Sequence, residues 1–392
     1  MGDAVVVSAA RTAIGTARKG TLVDVSAFDL GRFAVGEALR RAAIPREDVD
    51  DLILGESLQG GGDIARYAAV TMGLENIPGA AMNRHCASGL TAVQTAAASI
   101  RAGMDRVVIA GGTESLSTMP MTMKRLPGKA EPEFWMSPSH PETPQAPARD
   151  MSLTVGWNTA QMADVSREAM DEWAYHSHHR AAAATDDGRF AEEIFPIEIP
   201  DGKGGTKTFA LDEHPRRETT RERLASLKPI HPEIEGFSIT AGNSSGINDG
   251  AAALVLVDSE YARAHGLKPL AIIKSWASVG VLPERTGLAP TLAIPKALAR
   301  AGLTTGDIDL YEINEAFCSM AVACTRILGL DHEIVNVNGS GCGLGHPVAC
   351  TGARMIVTTV YELGRRGGGH GVVSMCAGGG MGSAAVLEVM PA

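Results

Sequence analysis

The chain has 392 residues, 45% hydrophobic and 20% charged, with a formal net charge of −10. This length suggests two or three structural units; the composition excludes intrinsic disorder, and the acidic surplus argues against a nucleic-acid partner, which needs a basic face. The 45 glycines follow no G-X-Y period and aromatics are only 4%, which excludes collagen and points to the tight strand–helix turns of an α/β protein.

In chain order, residues 4–9 (AVVVSA) predict a strand, 26–43 an amphipathic helix and 52–56 (LILGE) a second strand. Residues 80–85 lead into Cys86, an Ala-rich helix covers 88–102, and the strand 106–110 (RVVIA) ends in Gly111-Gly112. Strands alternating with helices predict parallel βαβ units. Residues 117–150 are rich in Pro, Met and Ser without periodicity, which predicts a functional loop. Helices follow at 158–164 and 167–187, then strands and loops around DGKGG over 196–216. The alternation resumes with strands at 251–258 and 270–280, separated by a helix end at YARAHG. A helix over 291–302, the strand 308–314, a helix from Glu315, the strand 334–339, a helix over 348–364 and the strand 371–380 complete the chain.

RVVIAGG in the first part is echoed by GVVSMCAGG in the second, and each part carries a reactive residue type at a strand-to-helix turn, Cys86 and His346. This predicts an internal duplication with an inserted loop region. The expected divisions are 1–116 for the first part of an N-terminal half, 117–245 for a loop domain returning into it, and 246–392 for a C-terminal half.

No apolar run reaches the roughly 18 residues needed to cross a bilayer. Asp3 stands where a signal peptide needs positive charge, and Val6 where a myristoylation signal needs Ser or Thr. The chain therefore reads as cytoplasmic, with no membrane partner. Its six cysteines form no C-x-x-C pair and suggest neither a disulfide framework nor a zinc site. His176, His178 and His179 lack a further ligand type at suitable spacing and read as a solvated helix face, so no metal is expected.

Four residues carry the chemistry best. Cys86, in NRHCASGL, precedes a helix, whose free N–H groups and positive dipole end would lower its pKa and make it a nucleophile. His346, in GLGHPVACTGAR, precedes Pro347 at a helix start and is a candidate base or acid. Cys376, in SMCAGGGMG, ends a strand beside a glycine turn that a ligand can approach closely. Asn314, in INEAF, is either a helix N-cap or a residue that orients a water. All four fall at predicted strand ends, where open α/β sheets place their chemistry.

NRHCASGL, GGTES, TAGNSSGINDGAAA, INEAF, NVNGSGCGLGHP and CAGGGMG occur in an order and spacing that resemble the thiolases over nearly the full length. The resemblance implies a five-layered αβαβα fold, built from two βαβαβαββ halves plus a loop domain that binds coenzyme A. It implies thiolytic cleavage of a 3-ketoacyl-CoA, or the reverse condensation, by ping-pong catalysis through acyl-Cys86. His346 would activate Cys86 and, with a water held by Asn314, bind the thioester oxygen. Cys376 would move the α-carbon proton. The N–H groups of Cys86 and Gly378 would form a second oxyanion hole. Ser245 would contact the pantetheine, Met151 would border the substrate, and Arg216 and Lys228 would lie near the CoA phosphates. Coenzyme A would be a co-substrate with no tightly bound cofactor, and the assembly a homodimer or homotetramer.

The sequence departs from the family pattern in places. Asp150 and Trp157 stand where many thiolases have His and Glu, and Thr286 where acetoacetyl-specific enzymes carry a Met. The 124–149 loop is Pro-rich, and Ala349-Cys350 replaces a Gly-Ala or Gly-Ser pair. These tilt the expectation toward a degradative enzyme for longer or bulkier acyl groups. Met119, Met121, Met123 and Met136 read as packing residues, with an acyl pocket as the second reading. A non-catalytic acyl-CoA or lipid-binding relative should have lost one of the four residues, and a ketoacyl synthase would resemble a Cys-His-His site.

Overall fold

The computed structural model describes residues 2–392. The first half runs through β1 (Ala4–Arg11), β2 (Gly15–Thr16), α1 (Ala27–Ala42), β3 (Asp51–Gly55), α2 (Ile64–Thr71), β4 (Gly79–Met82), α3 (Ser88–Arg101) and β5 (Val107–Ser115). A long excursion follows, with β6 (Met123–Lys124), β7 (Glu133–Phe134), α4 (Asn158–Met162), α5 (Arg167–Asp186), β8 (Ile197–Pro200), β9 (Thr206–Phe209) and α6 (Arg221–Ala225). The chain then returns along β10 (Asn248–Asp258) and α7 (Ser259–Ala264). The second half contains β11 (Ala271–Gly280), α8 (Pro290–Ala301), β12 (Leu310–Ile313), α9 (Cys318–Leu328), α10 (Gly341–Leu344), α11 (Thr351–Arg365), β13 (Gly369–Ala377) and β14 (Met381–Val389).

The strands lie in the order β12-β13-β14-β11-β1-β10-β5-β3-β4. β1 and β11 meet only at Val5–Ile272 and Val6–Ala271, so this path is two half-sheets touching at one antiparallel contact. Read outward from that contact, β1-β10-β5-β3-β4 corresponds to β11-β14-β13-β12, and a parallel bridge from Tyr311 to Val335 stands where β4 flanks β3. The sequence echo is thus a duplicated βαβαβαββ unit. The excursion occupies the position that a short glycine turn fills between β13 and β14.

Amphipathic patterning sets the layers. α1 and α2 bury Leu30, Val35, Ile64 and Ala68 against the outer face of the first half-sheet. α3 and α11 are buried from both sides, with Leu90, Val93, Met355 and Ile356 in the core between the half-sheets. α8 and α9 cover the outer face of the second with Ile294, Leu298, Ala321 and Cys324. The result is the five-layered αβαβα arrangement.

Several elements differ from the sequence expectation. α2 was not expected; its signal is Asp63, whose side chain accepts from the Arg66 N–H at 2.9 Å and caps a short Ala-rich turn. β5 runs through Gly111-Gly112 to Ser115 instead of ending there. A side chain at Gly111 would collide with Ala252 of β10, and one at Gly112 with the Ala349 carbonyl, so these glycines serve close approach, not a turn. β10 pairs with β5 and β1 and completes the first half-sheet, although the sequence division places 246 onward in the second. The strand expected over 334–339 reduces to the Val335 bridge. α9 begins at Cys318 and α11 at Thr351, each three residues later than expected, so Asn314 is not the N-cap of α9.

Candidate active site

Cys86, His346, Cys376 and Gly378 line one cavity of about 240 Å³, together with Ser245, Met151, Leu116 and Phe317. Both halves contribute. Cys86 comes from the turn between β4 and α3, His346 from the turn before α11, and Cys376 from the end of β13. Asn314 follows β12 and lies behind His346 outside the cavity lining, its Nδ2 3.5 Å from His346 Nε2. Its Oδ1 is buried without a protein partner.

The Cys86 turn is stapled by Ser88, whose hydroxyl donates to the His85 carbonyl at 2.6 Å and accepts from the Arg84 N–H at 2.9 Å. His85 takes φ = 46°, in the left-handed region that non-glycine residues rarely occupy. Burial pushes the Cys86 thiol up to about 11, and the Glu114 charge adds to the rise. The N–H groups of Gly378 and of Cys86 itself oppose it by donating to the sulfur. The sequence expected a lowered thiol at the helix start. Desolvation outweighs the two N–H groups, so the resting Cys86 is a neutral thiol.

His346 is held at three points. Its N–H donates to Asn248 Oδ1 at 2.9 Å, its Nδ1 lies 2.6 Å from Thr351 Oγ1, and Ile247 runs beside it in a parallel bridge. Burial, with the nearby Arg354 charge, lowers its pKa to about 3, so the ring is neutral. Burial is the main cause. Cys376 is buried, its sulfur 3.4 Å from Met320 Sδ, and burial and the Cys86 sulfur raise its pKa well above the ordinary thiol value.

Glu114, quoted in GGTES without a role, ties the segment after β3 to the His346 turn. It accepts from Gln59 Nε2 at 2.5 Å, from the Leu58 N–H at 3.1 Å and from the Ala349 N–H at 3.0 Å. The Ala349 carbonyl in turn accepts from the Gly89 N–H of α3 at 2.9 Å. Thr286 braces the glycine turn instead of lining the cavity, accepting from the Gly380 N–H at 3.0 Å. Asn248 and Thr351 stand in quoted segments without a role, and Thr286 was read only as the replacement of a Met, because these side-chain contacts are set by the fold and leave no pattern in the sequence.

The CoA contacts divide. Ser245 and Met151 border the cavity, and the Ser245 N–H donates to the Ala316 carbonyl at 2.9 Å. Arg216 and Lys228 are exposed and do not border it. Asp150 caps the π-helical turn Ser152–Trp157 and pairs with His231 at 2.7 Å, while Trp157 packs on Phe237. Met119, Met121 and Met136 line a groove that shares Leu116 with the cavity, and Met121 and Met123 are exposed instead of packed. His178 is buried and accepts from the Arg216 N–H at 3.2 Å, which corrects the expectation of a wholly solvated histidine face. Among the described residues no helix is long and apolar enough to cross a membrane, and no group of three or more His, Cys, Asp or Glu could hold a metal.

A family model for the thiolase N-terminal domain matches residues 4–260, and one for the C-terminal domain matches 267–389. The chain is 42% identical over 406 residues to the 3-ketoacyl-CoA thiolase of Bacillus subtilis (strain 168), across 99% of this chain and 100% of that protein. It is 42% identical over 400 residues to the acetyl-CoA acetyltransferase of Escherichia coli (strain K12), across 99% of each. The crystal structure of the Bacillus anthracis acetyl-CoA acetyltransferase superposes with a TM-score of 0.92 at 39% identity, across 100% of this chain and 99% of that one. The crystal structure of human mitochondrial 3-ketoacyl-CoA thiolase superposes with a TM-score of 0.90 at 36% identity, across 99% of both chains. With both domain models matched in the order of its two halves, and relatives aligned along its whole length, this chain belongs to the thiolase family.

Proposed function

We propose that this acyltransferase cleaves a 3-ketoacyl-CoA with coenzyme A, by way of an acyl group carried on Cys86. The observation that supports it most is the convergence of Cys86, His346, Cys376 and Gly378 on one cavity, with the Gly378 N–H directed at the Cys86 sulfur. In the first half-reaction, His346 Nε2 takes the Cys86 proton and the sulfur attacks the ketone carbon. The carbon–carbon bond breaks, its electron pair leaves on the α-carbon of acetyl-CoA, and Cys376 supplies the proton there. In the second, coenzyme A gives its proton to Cys376, its sulfur displaces the acyl group from Cys86, and the departing Cys86 sulfur takes back the proton held on His346 Nε2. The reverse sequence is the condensation.

Negative charge develops on different oxygens in the two steps, which calls for two sets of donors. The N–H groups of Cys86 and Gly378 serve one, and His346 with a water on Asn314 serves the other. Losing one such donor costs about 10²–10³ in rate. Ser245 and Met151 border the path of the pantetheine; the exposed Arg216 and Lys228 are assigned to the CoA phosphates on charge alone. The groove beside Leu116 supports a longer or bulkier acyl group and a degradative role. We extend the proposal to a cytoplasmic homodimer or homotetramer, since β4 ends its half-sheet with Ala81 exposed and an open edge invites a partner strand.

The test is CoA-dependent cleavage of a panel from acetoacetyl-CoA to long-chain and ring-bearing 3-ketoacyl-CoAs, with Cys86→Ala alongside. Cleavage that vanishes in the variant is expected. Cleavage that survives in Cys86→Ala contradicts the assignment.

A further inference from the structure

We propose that Thr351 is a positioning residue that fixes which nitrogen of His346 carries the proton. The inference rests on His346 acting as the base for Cys86.

The Thr351 hydroxyl lies 2.9 Å from the Pro347 carbonyl oxygen and 2.6 Å from His346 Nδ1. A hydroxyl has one proton to give, and a carbonyl oxygen can only accept. With that proton on Pro347, the Thr351 oxygen is left as an acceptor, and Nδ1 must be the donor. The proton of the neutral ring therefore sits on Nδ1 and leaves Nε2 bare.

The other side of the ring agrees. Asn314 Nδ2 is a donor and lies 3.5 Å from Nε2, which would be a donor–donor clash if Nε2 carried the proton. His346 and Cys86 line the same cavity, and a bare Nε2 can take the Cys86 proton across it. The opposite tautomer would present an N–H to the thiol and could accept nothing from it. Thr351, at the first position of α11, does not itself line the cavity and reaches it by its hydroxyl only through His346. The rest of the turn is fixed by separate contacts, Asn248 on the His346 N–H and Glu114 on the Ala349 N–H. Removing the Thr351 hydroxyl therefore changes the proton position more than the ring position.

Thr351→Val keeps the shape and removes the acceptor. The expected result is a kcat lower by roughly 10- to 100-fold, part of the 10²–10⁴ that a positioned base supplies, with KM for both substrates within about twofold. Thr351→Ser should restore kcat. In wild-type enzyme labelled with 15N-histidine, His346 should show a protonated Nδ1 and a bare Nε2. Undiminished kcat in Thr351→Val, failure of Thr351→Ser to restore it, or a protonated Nε2 in the wild-type spectrum would each overturn the inference. The spectrum decides the matter even if Thr351→Val does not fold. His346→Ala is the separate control: if it keeps full turnover, the role given to His346 fails, whatever Thr351 does.

Discussion

A thiol at about 11 beside an imidazole at about 3 means that, near neutral pH, the resting Cys86 and His346 are both uncharged. The sequence exposed both residues and their turns. It did not expose the direction of the thiol shift, because helix starts are visible in a sequence and burial is not. The consequence is measurable. Iodoacetamide alkylation of Cys86 in the free enzyme should rise about tenfold per pH unit from pH ~7 toward pH ~10, since the thiolate fraction keeps growing until the thiol titrates. A plateau below pH ~8 would instead mean a preformed thiolate–imidazolium pair. Cys376, the proposed proton donor, holds its proton more tightly than an ordinary thiol. Cys376→Ala should lower turnover by about 10²–10⁴ while Cys86 still alkylates. Loss of both together would indicate a collapsed cavity.

Individual elements bring these residues together by contacts that a sequence shows only partly. The alternation of strands and helices was legible from short apolar runs and amphipathic helical patterning, as was the long excursion from its Pro-rich composition. α2 was hidden by its eight-residue length, and the Val335 bridge by the loss of all but one ladder contact. α5 illustrates the limit within one helix. His176 pairs with Glu172 at the surface, whereas His178, two residues on, is buried and lowered to about 3 by desolvation and by His214 and Arg216. Below its unfolded value of 6.5, the unfolded chain binds a proton that the folded chain refuses. Stability should therefore fall as pH drops from about 6.5 toward 3, by up to about 1.4 kcal/mol per pH unit from this group. His178→Gln should flatten that slope in urea unfolding between pH 6.5 and 4. A slope unchanged from wild type would mean that His178 is protonated in the fold.

For the whole molecule, the duplication was readable from RVVIAGG and GVVSMCAGG, but the half to which β10 belongs was not, because strand pairing is non-local. The excursion between β5 and β10 is anchored by a buried charge cluster. Arg11 of β1 donates to Glu193 at 2.6 Å and to Asp212 at 2.8 and 2.9 Å, all three residues being buried. Arg11→Ala leaves two carboxylates without their cation and should cost about 3–5 kcal/mol in urea unfolding; a cost below about 1 kcal/mol would show that the excursion is held by its apolar contacts alone. The cavity forms where the halves meet, with Cys86 from the first and His346 and Cys376 from the second, and Asn314 of the second half behind His346. Its central claim is an acyl group on Cys86. The most direct measurement is mass analysis of the enzyme quenched after mixing with a 3-ketoacyl-CoA in the absence of free coenzyme A. The account predicts a mass gain equal to the shortened acyl group on the peptide carrying Cys86, removed when coenzyme A is added. An unmodified Cys86 during turnover, or an acyl group on any other residue, would contradict it.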